Sequence, residues 1–384
     1  MKRILFALQV TVLSSTFWAA QASARPAFDE YAEGLVKQRD YLGLRIFLKS
    51  YANYPKKSVQ SWRYTRGLVD AVPQAGFDLL YAWKFVAPEL GPSTQEINRK
   101  WETANRLMLE KKFRESVEIL TELTENVKVR MLKLPRTSPV RSSLTVLYPY
   151  LLHSLGRALY GSGNYADAKK VYAWIPAGYV FFRQVLFERM WNFYQLGDAA
   201  GTLASIASQK SAFYGPYLHP EAYLLQIYIY KRLCRDQELE FALRELRTFK
   251  SELDRGSFTL ERWARWDTEH YVLFRLINPE NLEFTNGIPR ATRVAELKGI
   301  QQKLQRQYDQ QLRTLRAGID KVLAFSSMAA LSNTNDQLNP IEKVKSRAEI
   351  IRSGYEVWPF DLGEEWSDEI GTQKFLGSSQ CTSR

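Results

Sequence analysis

Apolar residues recur every three to four positions along most of the chain, and short polar turns interrupt them in a pattern that fits paired helices better than strands. The clearest stretch is Leu155 to Tyr172, LGRALYGSGNYADAKKVY, which reads as one helix, a tight glycine turn and a second helix. The turn has a grammar: a helix ends, a small or charged pair follows, and an aromatic opens the next helix. It places Tyr41, Phe77 and Phe113 at intervals of 36, Tyr165 after a further 52 and Ala199 after 34 more. A period of 34 to 36 marks helical hairpins. The interval of 52 exceeds one period by about 18 residues, and the surplus falls on Lys128 to Ser143, KVRMLKLPRTSPVRSS. Its two prolines, serines and five basic residues predict an inserted basic loop over 128–143.

Leu155-Gly156, Gly163, Tyr165, Ala168 and Tyr172 stand where the tetratricopeptide repeat places its Leu-Gly pair, turn glycine, turn aromatic, alanine and second aromatic. The segment resembles that family. The resemblance implies an all-α, right-handed solenoid of about six helical hairpins over 25–250. In it, small residues at 156 and 168 let two helices approach, while Tyr165 and Tyr172 fill the gaps between neighbouring hairpins. Other units match in part: Ala104, Leu107, Phe113, Ser116, Leu120 and Leu123 keep the frame, as do Ala32, Leu35, Tyr41, Leu48 and Pro55. The unit at 60–88 carries Pro73 inside its first helix, and Thr202 replaces the alanine in the unit at 183–210. An alternative is two shorter arrays on either side of 128–143.

Beyond residue 250 the period is lost. Phe258 to Leu276 predicts one capping helix, 278–289 a loop, and Arg290 to about Leu331 a long amphipathic helix, completing a region over 251–331. Leu297, Ile300, Leu304, Tyr308, Leu312, Leu315, Ile319 and Val322 share one face at a spacing near 3.6, which predicts a helix packed on its own protein rather than a coiled coil. Residues 332–384 read as a linker, a short helix and a tail in which Trp358, Phe360 and Trp366 alternate with acids. That tail is similar to those of secreted helical repeat proteins.

The first 24 residues change the setting. Lys2 and Arg3, the apolar run 4–20 and Ala22-Ser23-Ala24 form the pattern of a cleaved secretory signal, so an exported, periplasmic or secreted chain is expected. The whole sequence has 53 basic and 41 acidic side chains, +12, and loss of Lys2 and Arg3 leaves 51 against 41, +10. An exported cationic protein meets acidic proteins, wall polymers or lipid headgroups. Nucleic acid is not expected as a partner, and a membrane only if the signal segment is retained. Cys234 and Cys381, the two cysteines, are no disulfide framework; they either form one bond that staples the tail, or Cys234 is a small buried apolar residue.

The sequence contains no G-x-S-x-G, H-E-x-x-H, G-x-x-x-x-G-K-[ST] or C-x-x-C. Its histidines, His153, His219 and His270, are far apart, and His219 before Pro220 suits an N-cap or turn. Glu364, Glu365, Asp368 and Glu369 read as a solvated acidic turn rather than a glycosidase pair. No enzyme activity, cofactor or metal is expected. The expected function is a scaffold that binds another envelope protein or peptide; the alternative is a wall-associated module that holds anionic glycan or assists a glycan enzyme. In the resembled family the first helix of each hairpin lines the groove. That frame selects Trp101, Asn105, His153, Arg157, Tyr160, Phe187, Trp191 and Tyr194 as partner contacts, residue types that favour binding hot spots.

Overall fold

The computed structural model describes residues 25–52, 93–211, 214–284 and 286–329, with Gly371, Gln380 and Cys381. The regular elements among them are helical: α1 (Arg25–Lys37), α2 (Tyr41–Ala52), α3 (Ser93–Leu109), α4 (Phe113–Lys133), α5 (Pro139–Gly161), α6 (Tyr165–Ala173), α7 (Phe182–Gln195), α8 (Ala199–Gln209), α9 (Pro220–Arg232), α10 (Asp236–Asp254), α11 (Leu260–Ala264), α12 (Thr268–Leu276) and α13 (Arg290–Ala329), with a 3-10 turn at Pro279–Leu282. The expected signal segment, the unit at 60–88 and nearly all of 332–384 lie outside the described residues.

Five turns share one geometry. Arg39, Lys111, Gly163, Gly197 and Cys234 each adopt a positive φ, and each stands two residues before a new helix. At each, two backbone bonds close the preceding helix; at Gly163 they run from Gly163 N to Tyr160 O at 3.0 Å and from Asn164 N to Leu159 O at 2.9 Å. This is the Schellman closure, which satisfies the last carbonyls of a helix by one left-handed residue. The next residue then caps the new helix where its side chain permits: Asp40 accepts from Gly43 N, Asn164 from Asp167 N and Asp198 from Gly201 N. The aromatic that opens α4, Phe113, packs on the end of the next helix, α5. A Cβ on Gly161 would fall 2.4 Å from the Phe113 ring.

The described residues fall into two compact units: 25–52 with 275–301, and 93–274 with 302 onward. In the first unit α1 packs on α2, and the start of α13 joins them through Asp40 and Arg293, both fully buried. Arg293 Nη1 donates to Asp40 Oδ1 at 2.7 Å and Nη2 to Oδ2 at 2.5 Å, while Asn286 Nδ2 donates to Oδ2 at 3.0 Å. Gly43 is required beside them, since a Cβ there would lie 2.3 Å from Asp40 Oδ2.

In the second unit each helix from α3 to α10 packs on the next in the chain, and α3–α5 and α5–α7 also touch. The later turns of α13 bury Leu304, Leu315, Ile319 and Val322. They fasten to the unit through Arg316 Nη2 to Leu253 O at 2.5 Å and Lys250 to Asp320 at 2.7 Å, and Gly318 admits Pro220.

Two expectations are corrected. The basic stretch 128–143 is mostly helix: α4 runs through Lys133, α5 starts at Pro139, and only 134–138 connects them. Pro139 at the first helical position needs no donor, so it starts the helix it was expected to interrupt. The stretch Phe258–Leu276 forms two helices, because Asp267 accepts bonds from Glu269 N and His270 N at 2.8 and 3.2 Å and so begins a second one. Cys234 and Cys381 form a disulfide, and both are exposed, so Cys234 is no core residue. Gly371 O accepts from Arg189 Nη2 at 3.2 Å, and Gln380 N donates to Leu233 O at 2.8 Å.

Candidate functional site

The surface selected from the sequence lies on α3, α5 and α7 of the second unit, and its centre is a carboxylate that the selection omitted. Glu188, the one acid of α7, accepts from Arg157 Nε at 2.9 Å and Nη2 at 2.7 Å on Oε1. Its Oε2 accepts from Tyr172 Oη at 3.0 Å and lies 2.9 Å from His153 Nε2. A carboxylate only accepts, so Nε2 carries the proton; in the neutral imidazole Nδ1 then accepts from the Tyr179 hydroxyl 3.2 Å away.

Burial alone would raise the Glu188 pKa, but the His153 and Arg157 bonds and charges outweigh it and hold the carboxyl below its ordinary value. For Arg157, burial opposes the charge and Glu188 more than restores it, so its pKa is raised. Tyr172 and Tyr179 are pushed up, first by burial and then by neighbouring groups that include Glu188. The outcome is an ionised carboxylate with every lone-pair direction used. It is built to hold α5, α6 and α7 together, and has no spare basic site with which to take a proton from a substrate.

The local sequence makes this possible. Gly156 faces the Tyr172 ring, where a Cβ would sit 2.7 Å from Cε1, so the ring crosses α5 and its hydroxyl reaches α7. Ala168 is fully buried beside it. The Leu-Gly pair and the second aromatic of the repeat pattern therefore work as one packing element.

Around this knot α5 touches both α3 and α7, and α7 reaches α9. Trp101 Nε1 donates to Ser154 Oγ at 2.9 Å, joining α3 to α5, and its ring packs edge-on against Tyr150. The Tyr160 ring packs edge-on against Tyr165 of α6, with centroids 5.3 Å apart. Tyr194 contacts Trp191 and, at 6.0 Å, Tyr228 of α9. Phe187 packs on His219, which stands at the N-cap position of α9 without its side chain capping it.

Of the eight selected residues, Trp101, Asn105, Tyr160, Phe187, Trp191 and Tyr194 are half-buried, Arg157 is exposed, and His153 is buried. His153 is therefore corrected from a surface contact to an internal support of Glu188. The sequence carried one clue to Glu188: no acid occurs between Glu125 and Asp167, so His153 and Arg157 had to find one on a neighbouring hairpin.

Among the described residues no three His, Cys, Asp or Glu side chains converge as metal ligands, and no helix is long and apolar enough to cross a membrane. The molecule is thus a helical protein whose central polar cluster is a support for a half-exposed aromatic face. Comparison of the chain with protein-family models, curated proteins and solved structures finds no match.

Proposed function

We propose that this chain is a non-catalytic scaffold: a right-handed, tetratricopeptide-like solenoid of about six hairpins that binds an envelope protein or peptide along its first helices. The observation that carries the reading is the succession of first helices α3, α5, α7 and α9, joined by Trp101–Ser154, Arg157–Glu188 and Tyr194–Tyr228. Rigid, half-exposed aromatics and an arginine held by its partner lose little freedom on binding. The five equal turns support the repeat architecture. Export is supported by the pattern of residues 1–24 and by a disulfide, a bond that persists in oxidising compartments.

The test places a photo-crosslinking residue at Asn105, Phe187 or Tyr194, and as controls at Lys170 and Arg244 on second helices, in cells that export the chain. The scaffold reading expects one discrete adduct shared by the first-helix positions and missing from the controls. Equal labelling at both sets would overturn it. If the adduct is lost steeply with added salt and contains glycan rather than protein, the wall-binding alternative stands in its place.

A further inference from the structure

We propose a second interaction surface, at the α4–α5 tip, that lies against an anionic phospholipid bilayer. The tip consists of the last turns of α4, the connection 134–138 and the first turns of α5. Helix α6 has nine residues against 23 in α5, and it meets α5 near Gly156, so the earlier turns of α5 and the late turns of α4 continue beyond it. That end exposes apolar side chains a soluble helix pair ordinarily buries: Leu132 is 62% exposed, Val129 38% and Trp174, just after α6, 58%.

Basic residues are interleaved with these groups. Arg130, Lys133 and Arg136 are exposed, and Lys128 lies with Nζ 5.4 Å from the centre of the Trp174 ring. Arg141 is spent in part on holding the connection, its Nη1 donating to Leu134 O at 2.7 Å. The acid nearest in sequence is Glu125, 3.9 Å from Lys128, and none follows until Asp167. The tip is therefore cationic and apolar at once.

That combination selects the ligand. A hydrated polyanion would pair with the basic groups and leave Leu132, Val129 and Trp174 in water. A bilayer interface takes both, because headgroup phosphates meet lysine and arginine while indole and leucine enter the boundary with the acyl chains. The surface is separate from the first-helix face and needs no retained N-terminal segment.

The test is co-sedimentation of the full chain, as recovered from its expressing cells, with phosphatidylcholine vesicles with and without phosphatidylglycerol. All variants share one N-terminus, so differences between them report on the tip. The proposal expects binding that requires phosphatidylglycerol. The triple variant Arg130→Glu, Lys133→Glu, Arg136→Glu should weaken partitioning by about a hundredfold, on the order of a tenfold loss or less per charge. The variant Leu132→Ser with Trp174→Ser, which keeps every charge, should weaken it by about tenfold or more. Unchanged helical circular dichroism checks both folds, since the altered side chains are exposed.

Three outcomes overturn the proposal. One is no binding to phosphatidylglycerol vesicles. Another is equal binding by the chain and the triple variant. The third is a Leu132→Ser, Trp174→Ser chain that binds vesicles and soluble polyglutamate as the unaltered chain does, which would make the tip a polyanion site.

Discussion

Asp40 and Glu188 are both carboxylates saturated by donors, yet they hold different kinds of structure. Asp40 is fully buried and meets Arg293 across 253 positions of sequence, so it closes a contact the chain must find at long range. Glu188 is partly open, with 19% of its side chain exposed, and draws its donors from the two preceding helices. The first site seals a unit; the second stiffens a face and leaves the Arg157 side chain 42% exposed to solvent. The contrast teaches that equal numbers of hydrogen bonds carry unequal weight. An ion removed from a sealed site strands its partner in low dielectric, whereas water can reach the groups left behind in an open one.

The largest expected effect tests the sealed site. Arg293→Met leaves Asp40 charged and unpaired, and should lower the unfolding free energy by about 3–5 kcal/mol in urea titrations. Adding Asp40→Asn to it should return more than half of that loss. If Arg293→Met costs less than about 1 kcal/mol, Asp40 is not sealed and the comparison fails.

Glu188→Gln comes next, with a loss of about 2 kcal/mol, because an amide cannot accept from all four donors. This effect has a pH signature. The folded Glu188 pKa is depressed, so its contribution is complete above the unfolded carboxyl value of about 4.3 and disappears as pH falls through the lower folded value. The Gln variant should lack that component, and its stability difference from the unaltered chain should shrink toward pH 3. A difference that stays constant with pH would mean the charge of Glu188 plays no part.

Arg157→Ala is the smallest, below about 1 kcal/mol, since the side chain is 42% exposed and solvent screens its pairing. Thermal melts that drop as far as those of Glu188→Gln would show that the two sites are alike after all. If the melt barely moves and the crosslinked adduct is lost, Arg157 belongs to the recognition face.

What the sequence made legible was local. The turns at Gly163 and Gly197 could be read because glycine tolerates a left-handed residue and Asn164 and Asp198 cap the helices that follow. Those at Arg39, Lys111 and Cys234 use residues that reveal no such preference, yet spacing located the helix after Arg39 and after Lys111. Helix α13 was legible from Arg290 to the last described residue, Ala329, because its apolar spacing follows the helical period. Asp40–Arg293 was not, since a pairing across 253 positions leaves no trace in the spacing around either residue, and for Glu188 the acid-free stretch 126–166 shows only that His153 and Arg157 lack a near partner, without naming the acid they meet. The stretch 128–143 misled for a different reason: Pro135 and Pro139 stop helices in mid-run, but Pro139 stands at a helix start. Of the selected face, the aromatics fell at half-exposed positions, while His153 turned inward where the frame put it outward.

The disulfide has a mechanical meaning as well. It closes a covalent ring over a separation of 147 residues that contains α10, α11, α12 and α13. Tension applied to the two ends of the chain passes from Cys234 across the sulfur bridge to Cys381 and never loads the backbone between them. About 500 Å of extended chain, at roughly 3.4 Å per residue, is thereby withheld from stretching. A stretched molecule would lengthen in its N-terminal helices while α10 and the later turns of α13, fastened by Lys250–Asp320, stay slack inside the ring. Adding a reductant would release the hidden length as one extra extension in a single-molecule pulling trace.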